Sequence, residues 1–121
     1  MNSFGKYLNS LHDIVNSSVV SDHAGEPVVC ETAIGQAIDL MHNTRDAGGK
    51  IIFVGNGGSA AIASHVSVDL TKNANIQSVN FNEADLITCF SNDYGYERWI
   101  EKAIDFYADD KDVLILSLIH I

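Results

Sequence analysis

The stretch Ile51-Ile52-Phe53-Val54-Gly55-Asn56-Gly57-Gly58-Ser59 decides the fold of this chain. Its first four residues are β-branched or aromatic with no polar alternation, which is typical of a parallel strand buried on both faces. The glycines that follow predict a tight turn, and apolar spacing then predicts a helix from about 60 to 71. The turn therefore lies at the carboxyl end of a strand, where open α/β sheets bind ligands.

The flanking sequence repeats this alternation of strands and helices. Helical periodicity predicts a helix over roughly 2–20 and a second from 28 to the glycine pair at 48–49, joined by a polar connection over 21–27. Further strands are predicted over 77–81 and 112–115, and further helices over 84–90 and 94–107. Such alternation favours right-handed crossovers and a parallel α/β sheet.

Composition limits the classes of function. The chain has 121 residues, 46% hydrophobic and 19% charged, as expected for one globular domain or part of one. A net charge of -9 argues against non-specific nucleic-acid binding, although helix N-termini still accommodate small anions. No signal pattern or membrane-length apolar run is present, so we expect a cytoplasmic protein without a membrane partner. Cys30 and Cys89 have no metal-like spacing and are expected to be buried free thiols.

Three interpretations of the glycine turn compete. The segment 55–60 nominally fits the dinucleotide fingerprint G-x-G-x-x-A, but Asn80-Phe81-Asn82 stands where its acidic residue belongs. A nicotinamide cofactor is therefore not expected, and no Gly-Lys-Ser/Thr sequence indicates a Walker loop. The turn, the helix N–H groups and the Ser59 hydroxyl instead suit a phosphate or a polar sugar group. A tight turn without a ligand remains the alternative.

Two polar pairs lie downstream. His65 and Asp69 are spaced i, i+4, which places both on one helix face, able to share a metal ion or a proton-transfer site. The alternative is a solvated surface pair. Asn92-Asp93 precede Tyr94-Gly95-Tyr96 in what reads as a polar break between helices, where a ligand contact and an N-cap are both possible.

The turn at 55–59, His65 six residues after its serine, and the segment 92–96 together resemble the SIS (sugar isomerase) domain, in its phosphoheptose isomerase branch. The resemblance covers nearly all of residues 1–115. It implies a flavodoxin-like αβα sandwich on a five-stranded parallel sheet, preceded by two helices that help to build a homotetramer. It also implies interconversion of sedoheptulose 7-phosphate and an aldoheptose 7-phosphate, on the route to lipopolysaccharide or capsule heptose.

The resemblance also assigns roles to residues. Asn56, Gly57, Gly58 and Ser59 match the first substrate loop, and Asn92 and Asp93 match a second contact to the sugar. His65 matches a zinc ligand, and Asp69 stands where the isomerases have a glutamate that serves as metal ligand and catalytic base. We therefore expect Asp69 and His65 to be catalytic, to bind zinc and to face the cleft at the strand ends, with no nucleotide cofactor. Aspartate shortens the reach of that carboxylate by one methylene.

Two alternatives to the heptose enzyme stay open within the same family. One is an isomerase that acts on another phosphosugar. The other is a non-catalytic SIS-domain binding or regulatory protein of the replication-initiator-associating type, which lacks the carboxylate partner of the histidine. The presence of both His65 and Asp69 favours the enzyme.

The final six residues, Leu116-Ser117-Leu118-Ile119-His120-Ile121, match one translation of a transposon end used as a sequencing adaptor. We expect a helical segment over 1–48, part of an SIS domain over 49–115 and a non-native tail over 116–121. The chain would then be an inactive N-terminal fragment, since a Ser/Thr-rich phosphate loop and a later glutamine and histidine are absent. A genuine buried strand over 113–119 is the alternative.

Overall fold

The computed structural model describes residues 3–117, which form two compact units, one ending at Ile38 and the other beginning at Asp39. The first unit contains α1 (Ser3–Asn16) and a short antiparallel hairpin of β1 (Val20–Ser21) and β2 (Pro27–Val28). α2 (Cys30–Asp46) begins in this unit and continues into the second. Both predicted leading helices are therefore present, and the hairpin occupies the segment predicted to be a plain connection.

The second unit is an α/β arrangement around a parallel sheet. Its elements after α2 are β3 (Ile51–Gly55), α3 (Gly58–Asn73), β4 (Ser78–Asn80), α4 (Ala84–Tyr94), α5 (Trp99–Tyr107) and β5 (Val113–Ser117). The sheet order is β4-β3-β5, with both pairings parallel. The predicted alternation of strands and helices is confirmed, and the carboxyl ends of all three strands lie at one edge.

The side chains of β3 alternate between two cores. One core joins Ile52 and Val54 to buried residues from β4 onward, namely Phe81, Trp99 and Ala103. The other joins Ile51 and Phe53 to Ala63 of α3 and to Ile76. Every residue of β3 is buried, which confirms a strand covered on both faces and gives the αβα layering.

A partly buried ion pair between Lys50 and Asp112 fixes the start of β5 against the start of β3. The Asp112 carboxylate, whose side chain is 4% exposed, accepts hydrogen bonds from the Lys50 backbone N–H (2.8 Å), the Lys50 ammonium and the Asp109 N–H (2.9 Å). Burial would raise the pKa of Asp112, but these donors hold it below its ordinary value. Lys50 and Asp112 immediately precede Ile51 and Val113, which lie opposite each other in the strand register.

The two cysteines differ from the prediction that both are buried. Cys30 is the first residue of α2 and Cys89 lies within α4, and both are exposed. The expectation of buried thiols is wrong because apolar neighbours in sequence do not fix which face of a helix a residue occupies. Among residues 3–117, no helix is long and apolar enough to cross a membrane.

Two of the predicted segment boundaries can be compared with the structure, one near residue 48 and one near residue 115. The two units divide inside α2, whereas the predicted helical segment runs to 48. β5 continues through Leu116 and Ser117, which pair with Val54 and Gly55. Apolar residues of any origin can extend a paired strand, so the adaptor origin of 116–121 stays a prediction, and 118–121 lie outside the described residues.

Candidate functional site

The glycine turn closes tightly at the carboxyl end of β3. A Cβ added to Gly55 would lie 2.5 Å from the Ser59 carbonyl oxygen, so only glycine allows the turn to fold back on the strand. Gly57 has φ 59° and ψ -122°, a conformation that residues with a Cβ rarely adopt. Hydrogen bonds from Ser59 N to Asn56 O and from Ala60 N to Gly57 O, both 3.1 Å, complete the turn.

The N-terminus of α3 opens from this turn. Gly57 occupies the N-cap position and no side chain there caps the 16-residue helix. Asn56, Gly57 and Gly58 are exposed and Ser59 is half-buried, so the first helical turn is accessible to a ligand. The N-terminal N–H groups and the helix dipole favour a phosphate or another anionic group here.

A pocket of about 350 Å³ adjoins the turn. It is lined by residues from the carboxyl ends of β3 and β5, the turn, and the segment after α4: Val54, Gly55, Asn56, Tyr96, Trp99, Ile100 and Leu116. Asn56 thus shares a cavity with Tyr96. Trp99 and Ile100 were not predicted to belong to the site. The signal in the sequence that could have indicated them is Gly95, a glycine of the kind that ends helices; its φ of 91° ends α4 and redirects the chain.

Asn92 and Asp93 lie within the last turn of α4. The predicted polar break before Tyr94, and with it the N-cap alternative, is therefore wrong, because the helix continues to Tyr94 before Gly95 ends it. The Asn92 amide donates to the Asp93 carboxylate (2.9 Å), and the Cys89 thiol donates to its other oxygen (3.7 Å). Both residues are exposed and neither lines the pocket beside the turn.

His65 and Asp69 form the predicted i, i+4 pair. The His65 Nε2 atom lies 3.3 Å from the Asp69 Oδ2 atom, and the two side chains are 81% and 50% exposed. The buried face of α3 is occupied by Ala63 and Ser67, which turns the pair toward solvent. Neither residue lines the pocket beside the turn, and their place in a substrate cleft at the strand ends stays a prediction.

The separation of His65 Nε2 and Asp69 Oδ2 is compatible with the geometry of a zinc site. Two ligands 2.0–2.2 Å from a tetrahedral zinc ion stand about 3.3–3.5 Å apart, so these atoms fit two of its corners. Within residues 3–117, no group of three or more His, Cys, Asp or Glu residues could hold a metal ion. Zinc would therefore need further ligands in addition to this pair.

The chain is similar in sequence to a known domain family and to known proteins. The SIS domain model matches residues 28–117. A phosphoheptose isomerase from Syntrophotalea carbinolica is 30% identical over 115 residues, covering 90% of this chain and 55% of that relative. A phosphoheptose isomerase from Helicobacter pylori is 32% identical over 91 residues, covering 70% of this chain and 47% of that relative. The chain thus spans about half the length of the curated relatives it matches.

Solved structures agree with the sequence relatives. A phosphoheptose isomerase from Neisseria gonorrhoeae superposes with a TM-score of 0.65 at 31% identity, covering 74% of this chain and 48% of that one. One from Francisella tularensis gives a TM-score of 0.71 at 22% identity, covering 96% and 60%, and shows likeness of fold alone. The chain therefore belongs to the SIS domain family, and its resemblance within that family is to the phosphoheptose isomerases.

Proposed function

We propose that this protein is a phosphosugar isomerase that interconverts sedoheptulose 7-phosphate and an aldoheptose 7-phosphate through an enediol. One observation carries the proposal: α3 begins with an accessible, uncapped glycine turn at the carboxyl end of β3 and bears the His65–Asp69 pair further along. A single helix thus supplies a seat for an anionic sugar and a pair able to bind metal or transfer a proton. The similarity to phosphoheptose isomerases supports the choice of substrate class.

The proposed binding roles follow from the chemistry of the turn. Asn56, Gly57, Gly58 and Ser59 present backbone N–H groups and short polar side chains, which suit phosphate or hydroxyl oxygens. Asn92 and Asp93 supply an amide donor and a carboxylate acceptor for the sugar hydroxyls. The mutual hydrogen bond of 2.9 Å between these two side chains would be exchanged for bonds to the sugar.

The proposed chemistry is proton transfer next to a carbonyl. The Asp69 carboxylate removes the proton from the carbon adjacent to the carbonyl and returns it to the former carbonyl carbon, while the hydroxyl proton passes from the one oxygen to the other, so an aldose becomes a ketose with no net change in atoms. His65 holds Asp69 in place as its near neighbour and shares the metal site with it. Bound zinc would supply a Lewis acid that stabilises the negative charge developing on the substrate oxygen.

The setting of the enzyme is part of the same proposal. We infer a homotetrameric, cytoplasmic, zinc-dependent enzyme that provides heptose for lipopolysaccharide or capsule. Exposed apolar side chains along α1, among them Phe4, Tyr7 and Leu11 at 48–66% exposure, support burial of that helix in an assembly.

A solvent-exchange experiment tests the proposed function. Full-length protein incubated with sedoheptulose 7-phosphate in D₂O should give aldoheptose 7-phosphate that carries solvent deuterium at the carbon next to the carbonyl. Fructose 6-phosphate serves as the competing substrate. Turnover of fructose 6-phosphate alone would show that the proposed substrate is wrong. Binding without turnover or deuterium uptake would refute the proposed enzymatic activity.

That last outcome would support a non-catalytic SIS-domain binding protein. One observation favours this second candidate: His65 and Asp69 are exposed and lie away from the pocket beside the glycine turn. A binding protein needs the turn but not the pair. Sugar-phosphate affinity that survives removal of both side chains would therefore accompany the absence of turnover.

A further inference from the structure

Two asparagines stand at the carboxyl end of β4, where a dinucleotide-binding fold would carry an acidic residue. The Asn82 amide nitrogen donates to the Ala60 carbonyl oxygen and to the Ser64 hydroxyl, both at 2.8 Å. The side-chain oxygen of Asn80, Oδ1, accepts hydrogen bonds from the Asn82 backbone N–H (3.1 Å) and from the Ser64 hydroxyl (3.3 Å). The Asn80 amide nitrogen donates to Ser67 Oγ at 3.4 Å.

These bonds reach three positions along α3, beginning in its first turn. Ala60 follows Ser59 directly, and the Ala60 N–H itself closes the glycine turn by donating to Gly57 O. The side chain of Asn82, two residues after the end of β4, thus holds the carbonyl of the residue whose N–H completes the turn. Both asparagines are half-buried, so water competes only in part for these bonds.

We infer that Asn82 is a positioning residue for the sugar-phosphate site, acting through Ala60 on the conformation of the glycine turn. The inference rests on the proposed function for its substrate. Asn82 does not line the pocket beside the turn, and its side-chain amide nitrogen is engaged by Ala60 and Ser64, which is why we assign it a positioning role. Asn80 supports it by accepting the Asn82 backbone N–H.

The chemistry of this position requires an amide. The Ala60 carbonyl is an acceptor, so its partner must donate. An aspartate at 82 would have the same shape but would place carboxylate oxygens against that carbonyl. Asn82→Asp is therefore a near-isosteric test of the donor, and Asn82→Ala removes the group altogether. Asn43→Ala, an exposed position on α2, is the control.

The experiment uses full-length protein and two readouts. Asn82→Ala and Asn82→Asp should speed hydrogen exchange at the Ser59 and Ala60 amides about tenfold, while the β3 amides exchange as in wild type. KM for sedoheptulose 7-phosphate should rise about tenfold with a smaller change in kcat, because binding geometry is lost and the proton-transfer groups are not. Ser64→Ala combined with Asn82→Ala should be no worse than Asn82→Ala alone if the two groups act as one unit.

The outcomes separate this inference from the proposed function. Wild-type protein with no isomerase turnover would defeat the proposed function, and amide exchange at the turn would still decide the role of Asn82. Exchange at Ser59 and Ala60 that matches wild type would overturn the inference. Acceleration spread evenly over β3 and α3 would also overturn it, because that pattern reports general loss of stability.

Discussion

His65 Nε2 lies 3.3 Å from Asp69 Oδ2 on the outer face of α3, the helix whose N-terminus forms the glycine turn. The glycine turn, which we assign to binding, and the His65–Asp69 pair, which we assign to proton transfer, are therefore carried by the same helix. Their separation along the helix is fixed by its 1.5 Å rise per residue, whatever else completes the site.

Removal of either member of this pair should affect catalysis far more than stability. In full-length protein, His65→Ala and Asp69→Asn should each lower kcat about 100-fold or more. Both side chains are at least half exposed, so the free energy of unfolding should change by only about 0.5 kcal/mol. Steady-state kinetics, zinc analysis and denaturant unfolding measure these effects, with exposed His42→Ala as control. Wild-type rates in both variants, together with absence of zinc, would identify an ordinary solvated pair.

Substitution of Gly57 should abolish sugar-phosphate binding. Gly57→Val forces a β-branched residue into φ 59°, ψ -122°, at a strain of roughly 1–3 kcal/mol, although nothing lies within 4 Å of the added Cβ. The turn should relax to another conformation and lose affinity. Calorimetric titration of full-length protein measures this, with Gly35→Ala in α2 as control, since a Cβ there also meets nothing within 4 Å. Unchanged affinity in a folded Gly57→Val protein would reduce the turn to a structural role.

The Asp112 carboxylate should make stability depend on acid. Its pKa is lowered in the folded state, so its contribution is present above the unfolded value of about 3.9 and is lost as pH falls through the folded value. Asp112→Asn should cost about 2 kcal/mol at neutral pH, the size expected for hydrogen bonds to a charged group, and should flatten the decline of stability below about pH 4. Urea unfolding of full-length protein at several pH values provides the measurement, with exposed Asp110→Asn as control. Parallel pH profiles for the variant and wild type would contradict the assignment.

The 121-residue chain made alone should be inactive and aggregated. β5 is an edge strand of the described sheet, and its Leu114 and Leu116 are 41% and 54% exposed. Such a strand invites pairing between chains, so Leu116→Lys should reduce aggregation. Light scattering and an assay with sedoheptulose 7-phosphate test this. A monodisperse, cooperatively melting product with turnover would refute it, together with the adaptor origin of residues 116–121.

Local sequence signals predicted the core of this fold. The run Ile51–Val54 is apolar on both of its faces, and it became the central strand because nothing polar competes for either side. The glycines after it fixed the turn, since Gly55 has no room for a Cβ. Strand, turn and helix were therefore predictable from adjacent residues.

Other features depended on contacts that adjacent residues do not encode. His65 and Asp69 face outward because the small residues Ala63 and Ser67 occupy the inner face of α3, and small residues give a weak apolar signal. Asn92 belongs to α4 because the helix ends only at Gly95, where φ is 91°. The two-residue strands β1 and β2 are too short for any periodic pattern.

The ion pair between Lys50 and Asp112, called the clamp below, should also affect the rates of folding and unfolding. Its partners are 62 residues apart, whereas the Ser78 hydroxyl bonds the Ile51 carbonyl across only 27 residues. Closing the longer loop costs about 0.7 kcal/mol more in chain entropy, so we expect β3, α3 and β4 to assemble first and β5 to dock last. A contact made after the transition state leaves the folding rate almost unchanged and slows unfolding, which stopped-flow measurements on Asp112→Asn would detect as faster unfolding alone. The clamp would then govern the lifetime of the native state, and with it resistance to proteolysis.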